Sequence, residues 1–542
     1  MITLMLIAAS WLPTQQLERY AWIVRNGADT VSVEHVTREA SQLRAEVLVP
    51  GRARLNVVAA TSTEGCVTGA EVRVFPWGSA PDATPLQQVE VRLDGDSARV
   101  AVQARDVSRT LAISAHGARF VLAGDSYAAS ALVVDCALAS GVDSVDVPVV
   151  AFPNLRTALV GVRRHGDSVT VVMGDTSYVQ LDPSGRPVHV RIGGDVVLER
   201  VAPDSARAEA EGPDYSAPPG AAYTAEDVVV LVEPGVVLAG TLTLPGDVSD
   251  PVPAVVTVSG SGPQDRDGFV DIAEGWRPFR QLADALGARG IAVLRFDDRG
   301  VGRSTGDFGS STELTAAADV EGAIAYLRAR PEVDATRIAV LGHSEGSRVA
   351  MIVGARDASL AGLVLLSGAA DPRAAVRAQA LWVAEHDPSL TGFSRDSLLA
   401  LVDRQWDSLA TTSAREVYRW DAVALARRIH MPVAVFQGAT DRQVPADQAD
   451  SLGAIFRRTG NTDVTVRVFP DVNHLLVHDT NGDFLAYYEL PNAKVAEEVL
   501  SAIAGWLTVR FGRRKTGSGE RHCSVWVCHP ISRSHPDRSC LS

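Results

Sequence analysis

The chain has 542 residues, 46% of them hydrophobic and 21% charged, a globular composition long enough for roughly two to four domains. A formal net charge of −14 argues against binding nucleic acid or an anionic surface through the overall field, and favours a small, neutral or apolar molecule as partner. Apart from the N-terminus, no window of about 20 apolar residues appears, so no membrane-spanning helix is expected.

Residues 2–9 are apolar and Ala8-Ala9-Ser10 resembles a small-residue cleavage site, although a basic n-region is missing. Residues 1–12 are read as a shortened signal peptide, against an ordinary first strand, and the protein is expected to be exported; the alternative is cytoplasmic. In that setting Cys66 and Cys136 are candidates for one disulfide, but spacing alone does not show that they meet.

Residues 15–200 read as all-β. Short runs such as AEVLVP, AEVRVFPWG and TLAISAHG are separated by turn residues. VRLDGDSARV predicts a hairpin about Asp94-Gly95-Asp96, and a meander turns at Asp182-Pro183-Ser184-Gly185. No helical period is visible. The expectation is one or two antiparallel modules, as a sandwich or open barrel. Residues 202–220 are rich in Ala, Pro and Gly and read as a linker.

From residue 222 the pattern changes. AVVTVSG, IAVLRFD, RIAVLGHS, LAGLVLLSG, PVAVFQG and TVRVFPD are continuous apolar runs, expected to be strands buried on both faces of a parallel sheet. Helix-compatible stretches alternate with them, which predicts a doubly wound α/β domain over 222–510. Residues 370–428, with Trp382, Trp406 and Trp420, exceed a simple crossover and suggest a helical cap over a pocket at the C-terminal sheet edge. The tail, 511–542, carries six basic and two acidic residues. Its Cys523, Cys528 and Cys540 lack a matching second pair, so it is read as a disordered appendage rather than a metal site.

The chemistry concentrates around VLGHSEGSRVA. A Gly-x-Ser-x-Gly run between a buried-type strand and a helix fits a nucleophile turn, with Gly342 and Gly346 leaving room for a strained Ser344. A serine needs a base to take its proton. GATDRQVP presents Asp441 and DVNHLL presents His474, each just past a predicted strand, in the order Ser, Asp, His. Asp371 and His478 are the lower-ranked rivals. An oxyanion needs two N–H donors: Glu345, directly after the nucleophile, and one from the Ser259–Gly262 loop, with Ser261 favoured and Gly262 as alternate. The loop RFDDRGVGRSTGDF lacks a phosphate or dinucleotide fingerprint and reads as structural, with Asp298 and Arg299 bonding across the rim of the site.

Together VSGSGPQDRDG, the Asp297–Ser304 loop, GHSEG, GATDRQVP and DVNHL resemble the α/β-hydrolase superfamily, most of all bacterial serine esterases with an N-terminal β domain. The resemblance covers about residues 222–510 and implies a carboxylesterase acting on short acyl chains without a cofactor or metal. Ser259 stands where the superfamily's common His-Gly oxyanion motif has His. Rival readings are a serine peptidase resembling the prolyl-oligopeptidase group, an acyltransferase, and a non-catalytic binding protein. About 200 residues are too few for the peptidase group's usual propeller, at about 40–45 residues per blade.

Overall fold

The computed structural model describes residues 17–512 apart from 27–28, 51–52, 105–106, 124–125, 140, 153–155, 174, 193–195, 210–212, 247–249, 271–272, 274, 387–393 and 491–492. The expected signal peptide and the three tail cysteines lie outside the described residues.

Alternating apolar residues build the N-terminal domain. Among the described residues, fifteen strands form one sheet rather than two packed ones. From Val107–Ser114 back to Glu18–Asn26 the strands lie side by side in reverse chain order. Glu18–Asn26 then pairs with Val196–Val201, and the meander continues back to Ser144–Phe152. Phe120–Ala123 adds in parallel at the far edge. It also packs on Val67–Pro76 and Gln87–Asp94, so the sheet curls on itself. The hairpin at Gly95-Asp96 forms as expected, with Asp94 opposite Ser97. The sheet is not divided into blades, which removes the propeller on which the peptidase comparison depended.

This domain also holds a helix that periodicity did not reveal, Tyr127–Leu138. The curled sheet surrounds it, so seven of its residues are buried and no polar stripe marks one face. Ser126 caps it by accepting from Ala129 N–H, and buried Glu34 accepts from the N–H groups of Tyr127 and Ala128. A Cys66–Cys136 disulfide, with Cα atoms 4.5 Å apart, joins this helix to the sheet and resolves the pairing the sequence left open. The start of the expected linker is ordered too. Pro203–Glu209 is a 3-10 helix, and its Ala206 packs on Ala21, Ile23 and Val33.

The C-terminal domain has an eight-stranded sheet. Its order is Tyr223–Glu233, Val236–Pro245, Ala292–Phe296, Val252–Val258, Val333–His343, Gly362–Leu366, Val433–Gly438, Val464–Phe469. From Ala292–Phe296 onward neighbours are parallel; the first two strands are antiparallel additions that the apolar-run criterion passed over. Side chains alternate between two cores. Val256, Leu294 and Val340 pack against Glu313–Arg328 and Glu345–Arg356, whereas Val255, Val293 and Leu341 pack against Pro278–Gly287 and Glu497–Gly512. The expected strand TVRVFPD is the exception: Val464–Phe469 lies at the sheet edge and is half exposed. The domains touch where Trp77 C=O accepts from Gly302 N–H at 2.7 Å.

Candidate active site

The central strand Val333–His343 runs straight into the helix Glu345–Arg356, with Ser344 as the single joining residue. Its backbone is forced to φ 53°, ψ −116°, a conformation that costs a non-glycine residue on the order of 1–3 kcal/mol. Two glycines make the turn possible. A Cβ on Gly342 would sit 2.1 Å from Gly346 O, and one on Gly346 would sit 2.4 Å from Val258 O. Ser344 N–H donates to Leu366 O at 2.8 Å, which fixes the turn onto the neighbouring strand.

Asp441 follows Val433–Gly438 and His474 follows Val464–Phe469, so both arrive at the same sheet edge as Ser344. His474 Nδ1 donates to Asp441 Oδ2 at 2.8 Å, and Ser344 Oγ–H donates to His474 Nε2 at 3.1 Å. The Asp441 carboxylate is fully committed. Oδ1 accepts from the N–H groups of Gln443 and Val444, and Oδ2 also accepts from Gln437 Nε2 at 2.7 Å. Asp441 and His474 are both buried.

The rival residues have other duties. Asp371 Oδ1 accepts from Ala374 N–H at the start of the helix Pro372–His386, a cap. His478 is on the surface, with its ring facing Glu498 at 3.1 Å.

Support around His474 comes from residues not singled out in the sequence. Its carbonyl accepts from His343 Nε2–H at 2.9 Å and from Ser367 Oγ–H at 3.1 Å. Burial and the neighbouring His474 ring push the His343 imidazole down to about 3, so it stays neutral and keeps the proton it donates. Asn473 Oδ1 accepts from the N–H groups of Leu475 and Val477, and Trp276 Nε1–H donates to Leu475 O. His343 sits inside the quoted motif, but nothing in one sequence separates a buried structural imidazole from a spacer. Gln437 and Ser367 carry no local signal.

The Ser259–Gly262 loop approaches the serine closely: a Cβ on Gly260 would lie 3.3 Å from Ser344 Cβ. Ser261 lines the cavity together with Ser344 and His474, while Gly262 turns through φ +88° into open space. The loop is held from below. Asp298 accepts from Ser259 Oγ–H and from Gln264 N–H, and burial pushes its carboxyl well above the usual range. Asp298 therefore anchors this loop rather than crossing the rim. Arg299 does neither; it points away, to Asp319 and Glu233, because those carboxylates neutralise it in the gap between helix Glu313–Arg328 and strand Tyr223–Glu233. Asp297 accepts from Arg266 and from Arg303 N–H, which ties the two glycine-rich loops together.

A cavity of about 480 Å³ lies over Ser344. Between Gly362–Leu366 and Val433–Gly438 the chain adds the helices Pro372–His386 and Arg395–Thr412, and both line this cavity. Of the three tryptophans noted in this stretch, Trp406 lines it. Arg415 fastens the insertion by ion pairs to Glu313 and Glu345. Burial alone would raise the Glu345 carboxyl, but Arg348, Arg415 and the Ser261 hydroxyl hold it below its usual value. As the first residue of its helix, Glu345 has an N–H without an intrahelical acceptor.

Residues 255–486 match the family described as alpha/beta hydrolase. The C-terminal domain has the α/β-hydrolase fold. Over 318 residues, 56% of this chain and 71% of the relative, the chain is 26% identical to Esterase EstD of Thermotoga maritima. Among solved structures, the hydrolase domain is similar to the Pyrococcus furiosus esterase Pf2001, at 18% identity and a TM-score of 0.39, covering 55% of this chain and 96% of that one. Est1E from Butyrivibrio proteoclasticus is similar at 16% identity and a TM-score of 0.36, covering 53% and 99%.

Proposed function

We propose that the hydrolase domain is a serine carboxylesterase working through an acyl-enzyme, with Ser344 as nucleophile, His474 as base and Asp441 as its orienting acid. The observation that carries this reading is the continuous chain of hydrogen bonds from Asp441 through His474 to Ser344 Oγ. His474 Nε2 takes the Ser344 proton as Oγ attacks the ester carbonyl. Asp441 stabilises the imidazolium that forms and keeps the ring in place. The negative charge on the carbonyl oxygen is met by Glu345 N–H, at the positive end of its helix, and by Ser261 N–H, with Gly262 N–H as alternate. His474 then returns its proton to the departing alcohol, and water repeats the sequence to release the acid. Every step draws on side chains, backbone N–H groups and water.

The cavity under the helical insertion supports a small-ester substrate. Its 480 Å³ suits a small ester, and Val376, Val402, Trp406 and Leu409 give the acyl chain an apolar wall. The relation to an esterase of Thermotoga maritima supports ester hydrolysis. The Cys66–Cys136 disulfide fits an oxidising compartment and so an exported protein.

The test is hydrolysis of p-nitrophenyl esters from acetate to decanoate by the wild type and by Ser344→Ala. Fast turnover of the short esters, lost in the variant, is expected. Activity that survives in Ser344→Ala would place the nucleophile elsewhere. A folded protein inactive on every ester would shift the reading to peptidase or acyl transfer.

A further inference from the structure

A second cavity, of about 330 Å³, lies in the β domain and shares no lining residue with the catalytic one. Strand register builds it. On the inward face of the sheet Val171 stands opposite Ser177 and Ser177 opposite Ile192, while Val190 pairs with both Val179 and Leu198. The helix Tyr127–Leu138 closes the other side with Ala131 and Val134. None of the described lining residues is charged. Met173, 43% exposed, stands where the lining reaches solvent.

One lining residue is out of keeping with a simple packing void. Trp22 is 2% exposed and borders the cavity, yet its indole N–H has no acceptor among the described residues. Buried indole N–H groups ordinarily have a partner, and leaving one without is costly. We propose that this cavity binds a neutral, largely aliphatic small molecule whose single acceptor, a ketone, ester or alcohol oxygen, takes the Trp22 N–H. The volume holds about ten non-hydrogen atoms at the ~30 Å³ a water takes in liquid. With no cation among the described lining residues, a free fatty acid is disfavoured, because a carboxylate buried here would have no counter-charge from them. This site would give the β domain a ligand of its own, whatever the hydrolase domain cleaves.

The experiment is a fluorescence titration of the full chain with the neutral probe 1-naphthylamine, which matches decan-2-one in heavy-atom count and so fits the cavity volume, displaced by decan-2-one or by decanoate at pH 8. Decan-2-one is chosen because it carries one acceptor and cannot be hydrolysed. Expected are saturable binding of one probe per chain and displacement by decan-2-one at micromolar concentration. Decanoate should be at least tenfold weaker. Trp22→Phe, which keeps the ring and removes the donor, should weaken decan-2-one about tenfold. Met173→Trp, at the exposed rim and so tolerated by the fold, should block probe and ketone alike. The proposal is overturned if binding is absent in the wild type, if it is unchanged in both variants, or if decanoate competes as well as the ketone. Because binding is read directly, none of these results depends on ester turnover.

Discussion

The two domains use buried polar groups differently. In the hydrolase domain a dense cluster gathers at one sheet edge around the candidate site, where Asp441 accepts from four donors and the His474 carbonyl from two; away from that cluster, the Trp382 and Trp420 indole N–H groups have no acceptor among the described residues. In the β domain the buried polar groups are fewer and spread out. Buried Glu34 is spent on the start of one helix, and the Trp22 N–H has no acceptor among the described residues. A dense network holds the groups of the candidate site to fixed positions; a sparse one inside an apolar shell leaves room for something else to bind. The contrast predicts that substitutions in the hydrolase domain strike rate, while those in the β domain strike stability and leave rate nearly untouched.

The largest effect should come from His474→Ala. Removing the base of an intact serine site lowers kcat on the order of a million-fold, with KM moved far less. Asp441→Asn should cost about 10⁴-fold, because the ring loses its orienting charge and correct tautomer. Steady-state kinetics on p-nitrophenyl acetate read both. Values within tenfold of wild type for either would break the assignment.

Gly346→Ala should come next. The new methyl meets Val258 O and Ser259 O at about 2.5 Å, a backbone clash that no rotamer relieves. The hydrolase transition in calorimetry should drop by the equivalent of about 1–3 kcal/mol, and activity should fall with it because the turn carries Ser344. An unchanged melting profile would mean that the turn is looser than described.

How much of this was legible follows the same division. Buried parallel strands declare themselves as apolar runs; Ser344 and Asp441 each follow one, and His474 follows the half-exposed edge strand, so strand ends pointed to the candidate site. The glycine pattern around Ser344 was legible because sterics allow nothing larger there. His343, Ser367 and Gln437 were not legible, since their work is done through contacts across the sheet that leave no mark in local sequence. The direction of Arg299 was misread for the same reason: its partners Asp319 and Glu233 are distant in the chain. In the β domain, alternation announced the strands but could not announce Tyr127–Leu138, whose apolar surroundings erase the helical stripe.

In the β domain, replacing Cys66 and Cys136 together by Ser should lower stability by about 2–5 kcal/mol, since the disulfide closes a long loop. Urea melts followed on this domain's transition would show it, while kcat/KM on short esters should stay within twofold. A large loss of activity would mean that the contact through Trp77 and Gly302 transmits to the site and that the domains do not divide as described.

The last effect is a pH slope. Burial raises the Glu34 carboxyl from 4.5 to about 7. The unfolded chain therefore gives up this proton at lower pH than the folded one. The stabilising contribution is complete below about 4.5 and is lost as pH rises through about 7, by up to roughly 3 kcal/mol at about 1.4 kcal/mol per unit. Glu34→Gln should flatten the fall in the β-domain melting temperature between pH 4.5 and 7. A slope identical to wild type would show that Glu34 is ionised in the folded protein.

The most direct test of the central claim is to treat the folded protein with a fluorophosphonate and locate the adduct by peptide mass spectrometry. A single adduct on the peptide carrying Ser344, formed in the wild type and greatly slowed in His474→Ala, is the predicted result. Labelling at another serine, or none in a folded sample, would contradict the account.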